Sequence, residues 1–200
     1  VFVIVIAAGS IGDQTPNDNF APTWVWVIWW IGLAYISALV GNIWIIVNPW
    51  RIIFGWGEAL YQIITRTDGH REHVKYPKEL GHWPAILLFI AFSWAELIYR
   101  DSADPVRIAQ MVLVYSMITW AGMLVFGKEN WVRHGECFSV FSSLLGRFAP
   151  TEIRVTDTLV CLKCNAECAD LEDTCIGCWD CFTRAQSHQK EFNIRPFAIG

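Results

Sequence analysis

The sequence predicts an all-α integral membrane helical bundle that carries a small Cys-rich metal-binding segment. Three observations lead to this fold class. Hydrophobic residues make up 54% of the 200 residues, whereas charged residues make up only 17%. Residues 23–47 contain no charged side chain, and a helix of that length can cross a hydrocarbon core about 30 Å thick. Six of the seven cysteines fall between Cys161 and Cys181, in a polar stretch.

Composition also excludes two broad classes of protein. The chain is too hydrophobic to be intrinsically disordered. Its net charge of −4 leaves no basic surface for nucleic acid. We therefore expect no nucleic-acid partner. The partners expected of the apolar segments are the lipid bilayer and further transmembrane helices of the same protein or complex.

Residues 1–150 form the predicted transmembrane region. Apolar residues 1–9 are predicted to be the end of a span, and a polar, turn-rich stretch separates them from the span 23–47. Tryptophans crowd the first third of that span, which is typical of a helix entering a bilayer. Asn48 and Pro49 can end this span and start a new helix as its N-cap and first residue. Residues 49–65 are amphipathic and predict a helix that lies along the membrane interface.

Two further apolar runs predict the spans 80–99 and 105–126. Asp104 precedes a proline, and this pair can open the second of them as cap and first residue. Residues 134–148 contain an apolar run that is too short to cross a bilayer. We expect a second interfacial or re-entrant helix there.

The loop charges predict an orientation. Polar residues 151–191 form the Cys-rich module, and residues 192–200 turn apolar again, which predicts the start of a further span. The loops on one side carry only Arg100 and Arg107, whereas the rest of the 15 Lys and Arg lie on the other. Because positive charge collects on the cytoplasmic side, we expect an inner (cytoplasmic) membrane protein with the module in the cytoplasm. This orientation requires that 134–148 does not cross.

The cysteine spacing is the most specific chemical signal in the chain. It reads C-x2-C-x3-C-x6-C-x2-C-x2-C, at Cys161, Cys164, Cys168, Cys175, Cys178 and Cys181. Two C-x2-C pairs can complete a tetrahedral zinc site. The last three cysteines equally match three ligands of a [4Fe–4S] cluster. Disulfides are the third alternative, and they are rare in a reducing compartment. A metal would stabilise the fold of so short a module, which is also where a soluble partner would dock.

Polar residues near the predicted cytoplasmic helix ends form a second candidate site. His82, His134 and Glu136, with Cys137 beside them, could converge on an open metal site that activates water. In that catalytic interpretation these three residues are the metal ligands or the base. The alternative is a set of ordinary interfacial polar residues, since no close ligand motif joins them.

Several segments match a known pattern along nearly the whole chain. They are Ala21-Pro-Thr-Trp-Val-Trp-Val-Ile-Trp-Trp, Ser37-Ala-Leu-Val-Gly-Asn, Asn48-Pro-Trp-Arg, Gly81-His-Trp-Pro-Ala, Gly135-Glu-Cys-Phe-Ser-Val-Phe, Leu144-Leu-Gly-Arg-Phe-Ala-Pro and the Cys segment. Together they resemble a family of polytopic bacterial membrane proteins that carry the name fenitrothion hydrolase. The resemblance implies a longer chain with further helices on both sides. It also implies hydrolysis of an organophosphorus ester, but it supplies no catalytic residue.

Two functions follow as hypotheses. The first is a metal-assisted hydrolase of organophosphorus esters. The second is a non-catalytic or electron-transfer membrane subunit of a larger complex, whose Cys module binds zinc or an iron–sulfur cluster and docks a partner. A transporter would be expected to contain paired broken helices, and the sequence shows no internal repeat that predicts them.

Overall fold

The computed structural model describes residues 1–66, 73–161, 175–176, 178–194 and 196–197. The chain divides into two compact units, and each is treated by itself. The first unit comprises Val1–Leu33 and Asn48–Cys137, and the second comprises Ala34–Val47 and Phe138–Gly200.

Helices build the first unit. Its elements, including one helix that continues into the second unit, are α1 (Phe2–Ile11), α2 (Phe20–Pro22), a π-helical stretch (Thr23–Ile31), α3 (Gly32–Leu39), α5 (Pro49–Thr65), a 3₁₀ turn (Lys78–Leu80), α6 (Trp83–Leu97), α7 (Pro105–Phe126) and α8 (Lys128–His134). Within the described residues, three helices are long and apolar enough to span a membrane: Phe20–Leu39, Lys78–Leu97 and Pro105–Phe126. Each overlaps one of the three predicted spans.

The first span ends earlier than predicted. Its helix stops at Leu39 instead of continuing to residue 47, and the separate short helix α4 (Trp44–Val47) follows. Gly41 adopts a φ of +145° in the intervening turn. Only a residue without a Cβ adopts this conformation readily, so the glycine allows the chain to turn where hydropathy alone predicts a continuous helix.

Both predicted helix caps are confirmed. The Asn48 side chain accepts a hydrogen bond from Arg51 N (3.1 Å) at the start of α5. The Asp104 side chain accepts one from Val106 N (3.0 Å) at the start of α7. Helix α5 has the predicted bounds, and its Trp56 side chain is 70% exposed. This exposed apolar face is what an interfacial helix would present to lipid.

Helix α7 is the centre of the first unit. Helix α1 packs closely against the start of α7. The closeness shows at Gly9, where a Cβ would lie only 2.6 Å from the Pro105 carbonyl oxygen. Helix α8 packs against the end of α7 through Trp131, whose indole ring stacks on Phe126 with 5.9 Å between ring centroids. The same ring lies on Gly122. Small residues at such contacts let helices approach each other closely.

The helix predicted over 134–148 corresponds to α9 (Cys137–Gly146), which starts three residues later than predicted and is preceded by the separate helix α8. Helix α8 ends at His134, and Gly135 and Glu136 lie between the two helices. A side chain at Gly135 would meet the Trp131 ring at 2.6 Å. Trp131 therefore requires glycine where the helix breaks.

The second unit contains strands, so the all-α prediction is wrong there. Its elements are α4, α9, β1 (Thr151–Val155), α10 (Thr158–Cys161), β2 (Cys175–Ile176), α11 (Trp179–Arg184), a 3₁₀ turn (Ser187–Gln189) and β3 (Lys190–Ile194). The strands form an antiparallel sheet in the order β2-β1-β3, with Val155 paired to Cys175 and Ile153 paired to Phe192.

The further span predicted to start at residue 192 begins instead as a β-strand. Residues 192–194 belong to strand β3, which begins with the charged pair Lys190 and Glu191. The backbone groups of this segment are satisfied by pairing with β1. Residues 195 and 198–200 lie outside the described residues.

Candidate functional site

Three cysteines of the second unit converge on one point. The Sγ atoms of Cys175, Cys178 and Cys181 all lie within 4.8 Å of one another. Cys175 and Cys181 are buried, at 1% and 0% exposure, and Cys178 is half-buried. The structure thus brings together the last three of the six predicted cysteine ligands.

Local structure explains this convergence. Cys175 lies in strand β2, paired with Val155 of β1. Cys178 immediately precedes helix α11, and its carbonyl accepts a hydrogen bond from Phe182 N (3.0 Å). This first turn of the helix carries Cys181, which packs in a small core with Cys175, Val155 and Ala185. A strand and the start of a helix therefore supply the three thiols.

The other three predicted ligands are less well defined. Cys161 is the last residue of α10, and its side chain lies outside the described part of the structure. Cys164 and Cys168 are also outside the described residues. Val160, next to Cys161, packs against the core that contains Cys175 and Cys181. The end of α10 is therefore close to the three thiols.

The structure shows no disulfide at any cysteine whose side chain it describes. These are Cys137, Cys175, Cys178 and Cys181. Three close thiols can bind a metal ion, and they are one donor short of the four that a closed tetrahedral zinc site uses. The group is a candidate metal centre, and its geometry does not identify the metal.

The structure brings His82 and His134 together in the first unit. Their imidazole rings stack with 5.3 Å between centroids, and Tyr76 stacks on His134 at 5.2 Å. His134 Nδ1 lies 3.1 Å from the Asn130 carbonyl oxygen. A proton on Nδ1 would be donated to this carbonyl, which is the usual way of orienting a histidine whose Nε2 binds a metal.

Tyr76 is held in place beside this histidine pair. Its hydroxyl donates a hydrogen bond to the Gly81 carbonyl (2.8 Å). Partial burial raises the pKa of the Tyr76 phenol. The residue therefore stays a neutral hydrogen-bond donor to a higher pH than an exposed tyrosine would.

Glu136, the third predicted catalytic residue, lies in a different set of contacts. It is 0% exposed. Asn48 Nδ2 donates to Glu136 Oε2 (3.1 Å), and the Tyr115 hydroxyl donates to the other carboxylate oxygen. Among the described residues, Cys175, Cys178 and Cys181 lie close enough together to hold one metal ion. Glu136 does not form such a group with His82 and His134.

Glu136 and its two hydrogen-bond donors, Asn48 and Tyr115, form a buried polar cluster. Reasoning from the sequence misses the two donors as members of this cluster. The sequence indicates Asn48 only as a helix cap, and no motif in it singles out Tyr115, which falls inside the predicted span 105–126. Tyr115 Oη also lies 3.3 Å from the Cys137 Sγ atom. A signal is present in Asn48, a polar residue at the end of a long uncharged stretch, but nothing in the sequence names its partner.

The fold and sites define a helical protein with three membrane-length helices and a candidate three-cysteine metal centre. No protein family, curated protein or solved structure matches the chain. The resemblance to fenitrothion hydrolases stays a prediction, and the functional argument depends on the residues themselves.

Proposed function

We propose that this chain is an integral membrane protein and that the Cys-rich part of its second unit is folded around a structural zinc ion. The observation that carries the proposal is the convergence of Cys175, Cys178 and Cys181, whose Sγ atoms lie within 4.8 Å of one another. Among the described residues, the core that contains Cys175 and Cys181 has two further buried side chains, Val155 and Ala185, so metal binding would supply much of the folding free energy.

The geometry favours zinc over an iron–sulfur cluster. Zinc binds each thiolate at about 2.3 Å, so sulfurs that share one ion lie close together. A [4Fe–4S] cluster is also held by four cysteines, but each binds a different iron, which spreads the sulfurs further apart. All-thiolate zinc sites are usually closed and structural, and this supports a stabilising role over a catalytic one.

Cys161 is the proposed fourth ligand. It ends helix α10, and its neighbour Val160 packs on the core that holds Cys175 and Cys181. The module is proposed to face the cytoplasm from the inner membrane. Support comes from the loop charges and from the thiol chemistry, since a reducing compartment keeps cysteines available as ligands.

Metal analysis of the purified chain tests the proposal. We expect one zinc ion per chain and no visible absorption. Cys178→Ser should abolish zinc binding, and this half-buried position limits damage to the core. Cys137→Ser, in the other unit, is the matched control and should retain zinc. Iron with acid-labile sulfide would overturn the zinc proposal in favour of electron transfer.

The stacked histidines favour a second candidate function, the hydrolysis of an organophosphorus ester. His82 and His134 lie in ring contact, and His134 Nδ1 faces a backbone carbonyl. A divalent ion held by their Nε2 atoms would supply an activated water for attack at phosphorus. Glu136 remains the predicted base, although its described contacts are with Asn48 and Tyr115.

Release of the nitrophenol from fenitrothion measures this activity. We expect His134→Ala and His82→Ala each to lower kcat/KM at least a hundredfold. Arg133→Ala, next to His134 but outside the proposed ligand set, should leave kcat/KM within a few-fold of the parent. Full activity in both histidine variants would contradict the hydrolase assignment.

A further inference from the structure

A groove with a volume of about 380 Å³ lies between helices α5 and α7 of the first unit. Three successive turns of α5 line one wall, at positions 53–54, 57–58 and 61–62. Trp120 and Leu124, one turn apart on α7, line the other wall, and His73 completes the lining. Sites for small ligands have volumes of about 300–1,000 Å³, so the groove can hold one ligand or a large part of one.

The walls of the groove are mainly apolar. Trp120 Nε1 donates to the Trp50 carbonyl (3.2 Å), so the single polar atom of that indole ring is already satisfied. Leu124 is 53% exposed. A Cβ at Gly57 would meet nothing within 4 Å, so the space above this turn of α5 is open. A ligand lying in the groove would therefore contact apolar surface along most of its length.

An ion pair supplies charge at the edge of the groove. Glu58, one of the lining residues, accepts a hydrogen bond from Lys128 Nζ at 2.7 Å. The two side chains are 36% and 25% exposed, respectively, so a ligand can reach both. A lysine ammonium has three N–H donors, and among the described atoms Glu58 takes one of them, through Oε2. The pair can thus accept from a further donor at Oε1 and donate to a further acceptor.

The charged edge lies where α7 would leave a bilayer. Helix α7 ends at Phe126, and Lys128 begins α8 two residues later. Leu124 and Trp120 lie about 3 and 9 Å before the end of α7, at about 1.5 Å per residue. The groove therefore passes from charged groups at the end of the predicted span to apolar groups inside it. A phospholipid has its polar and apolar parts in the same order.

His73 lies at this charged end. Val74 N donates to the Val125 carbonyl (2.9 Å), which attaches the loop to the last turn of α7. A Cβ at Gly127 would lie 3.3 Å from the His73 ring, so the ring lies against the residue that precedes Lys128. An imidazole carries at least one N–H donor. His73 can therefore supply a further hydrogen bond to the polar part of a ligand.

We propose that this groove binds a phospholipid whose headgroup carries both a phosphate and a primary ammonium, as in phosphatidylethanolamine. The phosphate accepts from Lys128, the ammonium donates to Glu58, and one acyl chain lies along Trp120. An anionic headgroup without an ammonium would place its phosphate beside the Glu58 carboxylate, and like charges brought together select against such a partner. The site uses no residue of the zinc module, but it rests on the proposed membrane location.

Lipid-dependent stabilisation of the purified chain tests this proposal. A ligand that binds only the folded state raises the melting temperature as its concentration rises. In a non-ionic detergent, we expect phosphatidylethanolamine to raise the Tm more than phosphatidylglycerol with the same acyl chains. Soluble phosphoethanolamine should have little effect, because it lacks the acyl chain that the groove holds. Equal Tm values in the two lipids would overturn the proposal, as would an equal effect of phosphoethanolamine.

Gly57→Leu tests whether the groove itself is the binding site. The new side chain occupies the open space above α5, and leucine is a better helix former than glycine, so the fold should be retained. We expect the apparent affinity for phosphatidylethanolamine to fall at least tenfold. Gly32→Leu is the matched control, because a Cβ there also meets nothing within 4 Å and Gly32 does not line the groove. A full lipid response in Gly57→Leu would place the lipid elsewhere and contradict the proposal.

Variants of the ion pair test the headgroup assignment. Lys128→Gln and Glu58→Gln should each remove the preference for phosphatidylethanolamine over phosphatidylglycerol. Glu129→Gln breaks the neighbouring pair with Arg51 (3.0 Å), which lies outside the groove lining, and should keep the preference. Carbonate extraction of membranes checks the membrane location separately. A chain that stays in the membrane but does not distinguish the two lipids would overturn this inference and leave the proposed function standing.

Discussion

The indole ring of Trp131 lies directly on Gly122, and a Cβ at residue 122 would overlap the ring. This contact sets how closely α8 approaches α7. The close approach in turn brings Glu136, just after the end of α8, within hydrogen-bond reach of Tyr115. A glycine and a tryptophan thus determine whether the buried polar cluster can form.

Gly122→Ala should therefore destabilise the first unit. The added methyl group overpacks the interface between α7 and α8, and such changes cost about 1–3 kcal/mol. Thermal unfolding in detergent measures the loss. Gly57→Ala in α5 is the matched control, because a Cβ there meets nothing within 4 Å. It should be neutral, or stabilising by about 0.5–1 kcal/mol. A Gly122→Ala variant as stable as the control would show that the two helices are not closely packed.

Tyr115→Phe should destabilise the protein by about 1–3 kcal/mol, because a buried acceptor loses its donor. The aromatic ring stays, so its contact with Trp50, at 4.8 Å between centroids, is preserved. Tyr35→Phe removes a hydroxyl from a side chain that is 65% exposed and should have little effect. If both variants unfold at the parent's temperature, the hydrogen bond to Glu136 contributes no stability.

Removal of the proposed zinc ion should loosen the sheet of the second unit and leave α7 intact. Strand β1 pairs with β2 at Val155 and Cys175, so if Cys175 binds this ion, its loss would remove support from both strands. Amide hydrogen exchange with and without a chelator measures this effect. We expect faster exchange in β1 and unchanged exchange in α7. Acid should have the same effect as the chelator, because the ligands must be thiolates. Unchanged exchange in β1 after complete metal removal would argue against a structural role.

The folded protein should lose stability in alkali as the Tyr76 phenol ionises. Burial raises the pKa of its phenol above the ordinary value of 10.0, so the unfolded chain loses this proton first. The contribution of Tyr76 to stability is full below pH 10.0 and declines as the pH rises through the folded pKa. Tyr76→Phe should therefore lose less stability than the parent between about pH 9 and 11. Identical alkaline unfolding curves would contradict this interpretation.

The sequence predicts the features that depend on near neighbours. The caps at Asn48 and Asp104 need only residues up to three positions away. The three cysteines from Cys175 to Cys181 lie close together in the sequence, so their spacing alone indicates a candidate metal site. Length and hydropathy are sufficient to locate the three long helices.

Features that join distant residues cannot be predicted in the same way. Asn48 and Glu136 are 88 residues apart in the sequence, and no local pattern relates them. Strand β1 is short and half polar, so it carries no hydropathy signal, and its pairing with β3 depends on how the intervening chain folds. The break at Gly135 follows from the position of the Trp131 ring, which is a tertiary contact.

Asn48 uses both ends of one amide group. Its Oδ1 accepts from Arg51 N at the start of α5, while its Nδ2 donates to Glu136. Aspartate, an equally good capping residue, would keep the first contact but place a second negative charge against the carboxylate. A change at this codon to another capping residue would therefore act on the cluster even where α5 still formed. The secondary structure of such a variant would look normal by circular dichroism, and its defect would appear only in assays of the buried contact.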